Sequence, residues 1–285
     1  MLRLTLTLLL PLVVTATASA QALDGRLKKI IDTKTITIAH RTDAVPFSFV
    51  NDSKEISGYS VDLCKRVVAS IERQTGVKEL KIRYVPVTTQ TRFDVISKGQ
   101  ADMECGATTV TLTRMRTVDF SSFIFFETTG MLAKAGSGIS ALADFKGKRI
   151  AAIGGTSNER ALNTQLKRQQ INATVVPVKT SGEAIVALEA GTVDGFASDA
   201  LLLIGAVTQA KDPKGLTLLN EQLSFEPYGL VLPRGEPALR LAVNTALSQI
   251  YSGDEINDIY NRWFAAFGKP SALTEAVYIF GSIPE

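Results

Sequence analysis

Apolar positions along this chain follow two rhythms in turn. Residues 35–39 (TITIA) and 81–85 (KIRYV) read as strands, and 101–104 (ADME) as the end of a third. Between the first two, Ser60 is placed to cap a helix in which Val61, Cys64, Val68 and Ile71 fall at helical spacing, so Cys64 faces the core. Residues 88–92 (TTQTR) open another helix that runs through Ile96 and stops at Gly99. His40 to Phe47 reads as a loop broken by Pro46, and 51–53 as a turn. Strand, helix, strand, helix, strand predicts a parallel sheet covered by helices.

The plan then repeats. Residues 149–153 (RIAAI) form a strand, 154–158 a tight turn into a helix to about Gln169, and 174–178 a strand. Residues 181–189 make a helix ending at Gly191, and 194–198 (DGFAS) a strand with Asp199 at its end. The extended apolar run 123–134 is predicted to cross from one lobe to the other, and 228–232 (YGLVL) to cross back. Residues 236–263 are largely helical and return to the first lobe.

The first residues change the compartment. Arg3, an apolar run and Ala18-Ser19-Ala20 predict a secretory signal peptide over 1–20 with the mature chain starting near Gln21; a signal anchor is the minor alternative. No later run approaches the roughly 20 apolar residues of a span. Without the leader, 31 basic residues become about 30 against 28 acidic ones. That balance argues against nucleic acid as a partner. Cys64 and Cys105 are the two cysteines. Export favours a disulfide between them; two buried free thiols are the alternative.

The stretch 104–114 (ECGATTVTLTR) carries the densest candidate chemistry. A strand end, where ligands of open α/β sheets bind, is followed by hydroxyls at Thr108, Thr109 and Thr111 and a cation at Arg114. That composition suits a carboxylate. The turn Gly154 to Ser157 before a helix suits an anion and lacks the lysine of a nucleotide loop. Asp199 at a strand end can receive an ammonium or cap the next helix. Arg41 follows the first strand beside His40. Arg92 occupies a first helical turn, against the helix dipole, with Asp94 as its candidate structural partner. His40, the only histidine, reads as a packed strand-end residue, and no metal-ligand spacing is present. No cofactor is expected.

In order, HRTDAVPFSF, GYSVDL, PVTTQTR, ADMECGATTVTLTR, VDFS, LADFKGKRIAA, GGTS and FASDALL resemble the periplasmic polar amino-acid-binding proteins of ABC importers, solute-binding protein family 3. The similarity is greatest to the glutamate/aspartate-binding branch and extends to about Phe267. It implies a non-enzymatic, monomeric, periplasmic protein with an α/β, two-lobed type II periplasmic-binding-protein fold and a permease as partner. Lobe 1 would comprise 21–125 plus 231–285, lobe 2 130–226, and the hinge 126–129 with 227–230. By resemblance Arg114 pairs with the ligand α-carboxylate and Thr109 helps it. Asp199 binds the α-ammonium, Thr156 and Ser157 close on the ligand, and Arg41, Thr89 and Arg92 surround a distal carboxylate. Ala107 stands where that branch has Ser, and Ser181 where it has His.

Two arginines closed into one pocket predict a strong preference for glutamate or aspartate over the amides, because an amide would leave their charge uncompensated. The alternative reading is an exported cyclohexadienyl (prephenate/arogenate) dehydratase on the same fold, for which Glu104 and Asp199 are the nearby acids.

Overall fold

The computed structural model describes residues 24–284, so the signal peptide expected over 1–20 lies outside the described residues. The described chain begins with α1 (Gly25–Thr33) and β1 (Thr35–His40). Three short strands, β2 (Asp43–Ala44), β3 (Ser48–Val50) and β4 (Ile56–Ser57), then form a small antiparallel sheet where a plain loop and turn were expected. Next come α2 (Tyr59–Thr75), β5 (Lys81–Pro86), α3 (Arg92–Ser97), β6 (Met103–Cys105) and the long β7 (Val118–Lys134). The second half holds β8 (Arg149–Ile153), α4 (Ser157–Arg168), β9 (Thr174–Val178), α5 (Ser181–Glu189), β10 (Gly195–Asp199), α6 (Ala200–Val207) and β11 (Leu216–Leu218). The chain returns through β12 (Phe225–Pro233) to α7 (Pro237–Ser252), α8 (Glu255–Phe264) and α9 (Ala272–Gly281).

The main sheet runs β5-β1-β6-β12-β7-β10-β8-β9, with β11 also on β7. The β5–β1–β6 and β10–β8–β9 pairs are parallel, while β7 and β12 are antiparallel to their neighbours. β7 is 17 residues long, roughly 55 Å at strand rise, enough to serve both halves. Its first part lies beside β12 in one half, and residues 129–134 pair with β10 and β11 in the other. Between these, residues 126–128 pair only with 225–227, and that two-strand ribbon joins the halves.

The inner strands of each half-sheet, β1, β6, β8 and β10, are buried on both faces, while the edge strands β5 and β9 are not. Along β8, Ile150 and Ala152 pack in one core while Ala151 and Ile153 pack in another; Met131 and Leu132 divide the same way on β7. In the first half, Ile36, Ile38, Met103 and the inner face of α2 form the larger core, with Ala39, Ile96, Ala101 and Val231 behind the sheet. Val61, Cys64, Val68 and Ile71 are all buried, as their spacing predicted, and each of the larger aliphatics contributes about 1.5–3 kcal/mol. Phe47, Tyr59, Phe125, Tyr228 and Phe264 meet in one aromatic cluster, so the first-half ends of both crossing strands are anchored by rings.

Ser60 is not the cap of α2. Gly58 holds that position at φ 133°, where a Cβ would overlap the Phe47 carbonyl, so only glycine lets β4 turn into the helix against that backbone. Ser60 Oγ instead donates to the Gly106 carbonyl at 2.9 Å. Cys64 and Cys105 form a disulfide, with Cα atoms 6.4 Å apart, tying α2 to the end of β6. The helical return is two helices broken at Gly253, followed by α9, which the periodicity did not predict. α9 packs on β7 and α7, buries Val277 and Tyr278, and brings the Tyr278 hydroxyl to 3.0 Å from that of Tyr59.

Candidate ligand-binding site

The parallel strands of each half end at the same cleft. Arg41, Thr89, Arg92, Ala107 and Thr109 line it from one side, and Thr156, Ser157, Ser181 and Asp199 from the other. Asp43, Ala44, Ile153, Asn158, Ser198 and Leu202 complete the lining. Arg114 is not part of that lining; it is buried against Thr109. The cleft is closed. Thr109 Oγ1 and Ser157 Oγ meet across it at 3.0 Å, and the space left is about 20 Å³, little more than one water needs. At its edge Gly205 of α6 lies so close to Val45 that a Cβ would overlap the Val45 carbonyl oxygen.

On the first side lie three guanidiniums, two of them held by backbone carbonyls. Arg41 leaves β1 with its N–H donating to Ser48 Oγ at 3.0 Å, so the small sheet fixes its start. Its Nη2 pairs with Asp43 Oδ1 at 2.6 Å. Arg92 turns into the cleft from the first turn of α3 and donates Nη1 to the Ala107 carbonyl at 3.3 Å. Asp94 is not its partner; Asp94 binds Lys98 at 2.7 Å on the surface, four residues along the same helix. Burial, with Arg114 nearby, pushes Arg92 down to about 9, still a cation at neutral pH. Arg114 donates Nη1 to the Thr109 carbonyl at 2.6 Å, and burial and Arg160 push it down to about 10. Both Arg92 and Arg114 sit 5.0 Å from the ring centre of Phe93, which accepts positive charge on its face. Arg41 Nε, Arg92 Nε and Arg114 Nη2 are buried with no protein acceptor.

Glu104 is fully buried beneath these cations. It accepts from Thr108 Oγ1 at 2.9 Å, and burial raises its pKa although Arg92 pulls the other way. A Cβ at Gly106 would overlap its carboxylate, so the glycine of ECG makes room for the acid. His40 is the packed residue its position suggested. Its Nδ1 lies 2.9 Å from the Arg41 carbonyl, its ring meets Tyr84 edge-on, and burial lowers its pKa.

On the second side, Thr156 caps α4: its Oγ1 accepts from the Glu159 N–H at 3.0 Å and donates to the Ile153 carbonyl at 2.7 Å. Its hydroxyl is thus committed to backbone, while Ser157 faces across the cleft. Asp199 sits at the cap position of α6 without capping it. Asn158 Nδ2 donates to its Oδ1 at 3.0 Å. The α6 N–H groups of Leu201 and Ala200 favour the charged form of Glu127 on β7 instead. Burial, and then the charge of Glu226, pushes Asp199 up to about 7.

Sequence reasoning missed Asp43, Phe93, Asn158, Glu127 and Glu226. The two glutamates face each other in the crossing ribbon and both are buried. The signal for Glu127 was an acid inside an apolar extended run, FIFFETTG, and Glu226 stands just before the apolar YGLVL. Asp43 was signalled only by standing two residues after Arg41. The premise that two arginines enter the pocket uncompensated is corrected: Arg41 already carries a carboxylate partner. Among the described residues no group of three or more His, Cys, Asp or Glu is placed to hold a metal ion.

This is the architecture of a binding protein with its ligand cleft between two α/β lobes, and the chain belongs to the bacterial extracellular solute-binding proteins, family 3, whose pattern matches residues 36–266. Among curated relatives, the L-glutamate/L-aspartate-binding protein of Pseudomonas aeruginosa is 36% identical, the match covering 89% of this chain and 84% of that protein. The glutamate/aspartate import solute-binding protein of Escherichia coli K12 is 29% identical over 86% of this chain and 82% of that one. These relatives are solute-binding proteins, and so is this chain; it is not an enzyme. An ancestral amino acid-binding protein, a precursor of cyclohexadienyl dehydratase, superposes with a TM-score of 0.73 at 22% identity, covering 84% of this chain and 100% of that one. At that identity the likeness speaks to the fold alone.

Proposed function

We propose that this protein captures L-glutamate or L-aspartate in the periplasm, closes its lobes on it, and delivers it to the permease of an ABC importer. The observation that carries this reading is the single cleft that sets cations on one wall against Asp199 on the other. A zwitterion needs both. Arg114 Nη2, buried without a protein acceptor, supplies a donor for the α-carboxylate, with Thr109 beside it. Asp199, oriented by Asn158, takes the ammonium. Arg41 and Arg92, with Thr89, meet the distal carboxylate, and Ala107 offers only its backbone. Thr156, Ser157 and Ser181 are the second-lobe walls. The two relatives named above bind or import the same pair of amino acids.

In this reading lobe 1 comprises 21–125 plus 231–285, lobe 2 comprises 130–226, and residues 126–129 and 227–230 bend between them. The present cleft is too narrow to admit an amino acid, so entry requires opening at that ribbon. The protein acts as an exported monomer, without nucleic acid. Calorimetric titration of the mature protein with glutamate, aspartate, glutamine, asparagine and arginine tests the assignment. Saturable binding of an acidic amino acid is expected; no binding of either acid overturns it. The dehydratase alternative rests on Glu104 and Asp199 and on a structural neighbour 22% identical, whereas the more similar curated relatives are solute-binding proteins.

A further inference from the structure

We propose that Asp43 is a specificity-determining residue: acting through Arg41, it weakens the site's preference for an acidic ligand over its amide. The inference rests on the acidic amino-acid reading above and concerns how sharply the site enforces it. Asp43 lines the cleft, and its Oδ1 lies 2.6 Å from Arg41 Nη2. The Arg41 side chain is 7% exposed and that of Asp43 is 29% exposed, so the carboxylate is the solvent-facing member of the pair. The other distal cation, Arg92, faces buried Glu104, whose charge favours the guanidinium's charged form. Neither distal arginine stands without an accompanying acid.

The consequence is electrostatic. A distal carboxylate on the ligand gains from Arg41, but Asp43 already engages that guanidinium at 2.6 Å and offsets part of its charge, whereas a neutral amide draws little from that charge in either case. Asp43 therefore subtracts from the acid and leaves the amide nearly untouched. It also has a reason to be there. When the cleft opens, Arg41 and Arg92 lose the ligand, and Asp43 keeps one of two neighbouring cations paired. Arg41 still offers donors beyond the one Asp43 uses: its Nε is buried with no protein acceptor, and a guanidinium has five N–H groups in all.

Asp43→Asn is the test, because Asn keeps an acceptor for Arg41 Nη2 and removes only the charge. Glutamate and glutamine dissociation constants are measured by calorimetry for the unmodified mature protein and the variant. Releasing the part of the Arg41 charge that Asp43 offsets, partly screened by solvent, predicts that the glutamate-over-glutamine preference rises about tenfold, or about 1.4 kcal/mol, mainly through tighter glutamate. In an Arg41→Ala background the same substitution should change the preference by less than about twofold. A purely structural role would move both ligands together.

A change in preference below about twofold from Asp43→Asn, or an equal change with and without Arg41, overturns the inference. Asp43→Ser, which keeps a shorter acceptor without charge, gives the same measurement if the Asn variant does not fold. Should the unmodified protein bind none of glutamate, aspartate, glutamine and asparagine, the functional reading itself falls. Should it bind them with a preference Asp43 does not move, the reading survives and only this inference falls.

Discussion

Replacing Glu127 by Gln should stabilise the ligand-free protein, and more so as the pH rises. Glu127 and Glu226 lie opposite each other in the ribbon joining the lobes, both buried. Burial, then the charge of Asp199, pushes Glu127 from 4.5 up to about 8, although the Thr128, Leu201 and Ala200 N–H groups pull it down. The folded state therefore holds this proton more tightly than the unfolded chain does. The stability it contributes is complete below the unfolded value and is lost as pH climbs towards about 8. One such group removes at most about 1.4 kcal/mol per pH unit. Allowing for relaxation, the loss between pH 5.5 and 7.5 is roughly 1–2 kcal/mol, or about 2–8 °C in Tm for a chain this size. Gln is neutral throughout, so Glu127→Gln should escape that loss. The assay is thermal melting followed by circular dichroism across this window. The gap between variant and unmodified protein should widen with pH; a constant gap, or one that narrows towards pH 7.5, refutes the reasoning.

Asp199, pushed up to about 7 by burial and Glu226, must be ionised to hold an ammonium. Amino-acid affinity should thus weaken about ten- to thirtyfold from pH 8 to pH 5.5, and calorimetric heats at pH 6.5 should depend on the buffer that takes up the released proton; a flat affinity profile contradicts this. Gly205→Ala places a Cβ against the Val45 carbonyl. The variant should keep its melting temperature yet fail to compact in solution scattering with saturating glutamate; compaction equal to that of the unmodified protein would count against Gly205 as a closing contact.

The strands at 35–40, 149–153 and 195–199 were legible because both of their faces are buried and leave apolar runs, and the edge strand 174–178, half-exposed, by its β-branched valines. β2, β3 and β4 were not: strands of two or three residues carry no period. Gly58 was passed over for Ser60 because capping chemistry favours a hydroxyl, while the deciding contact, the Phe47 backbone, is distant in sequence. At the cleft, Arg41, Arg92 and Asp199 stood out as charges at element ends. Their neighbours Asp43, Asn158 and Phe93 did not, since what they do depends on which side chain they meet. Arg92 shows the limit of local reasoning: Asp94 is adjacent in sequence, yet Arg92 turns inward to Ala107 and Phe93.

The family's pattern ends at residue 266, before α9 begins. That helix is nonetheless stitched into the first lobe. Tyr278 meets Tyr59, Ser248 Oγ donates to the Ile283 carbonyl, and Gly281 sits where a Cβ would press on the Tyr251 ring. For anyone grafting this binding site onto another scaffold, the unit of homology and the unit of folding thus differ by one helix. A chimera cut at the homology boundary would strip the cover from part of β7 beside the joining ribbon, so α9 and β7 have to travel together.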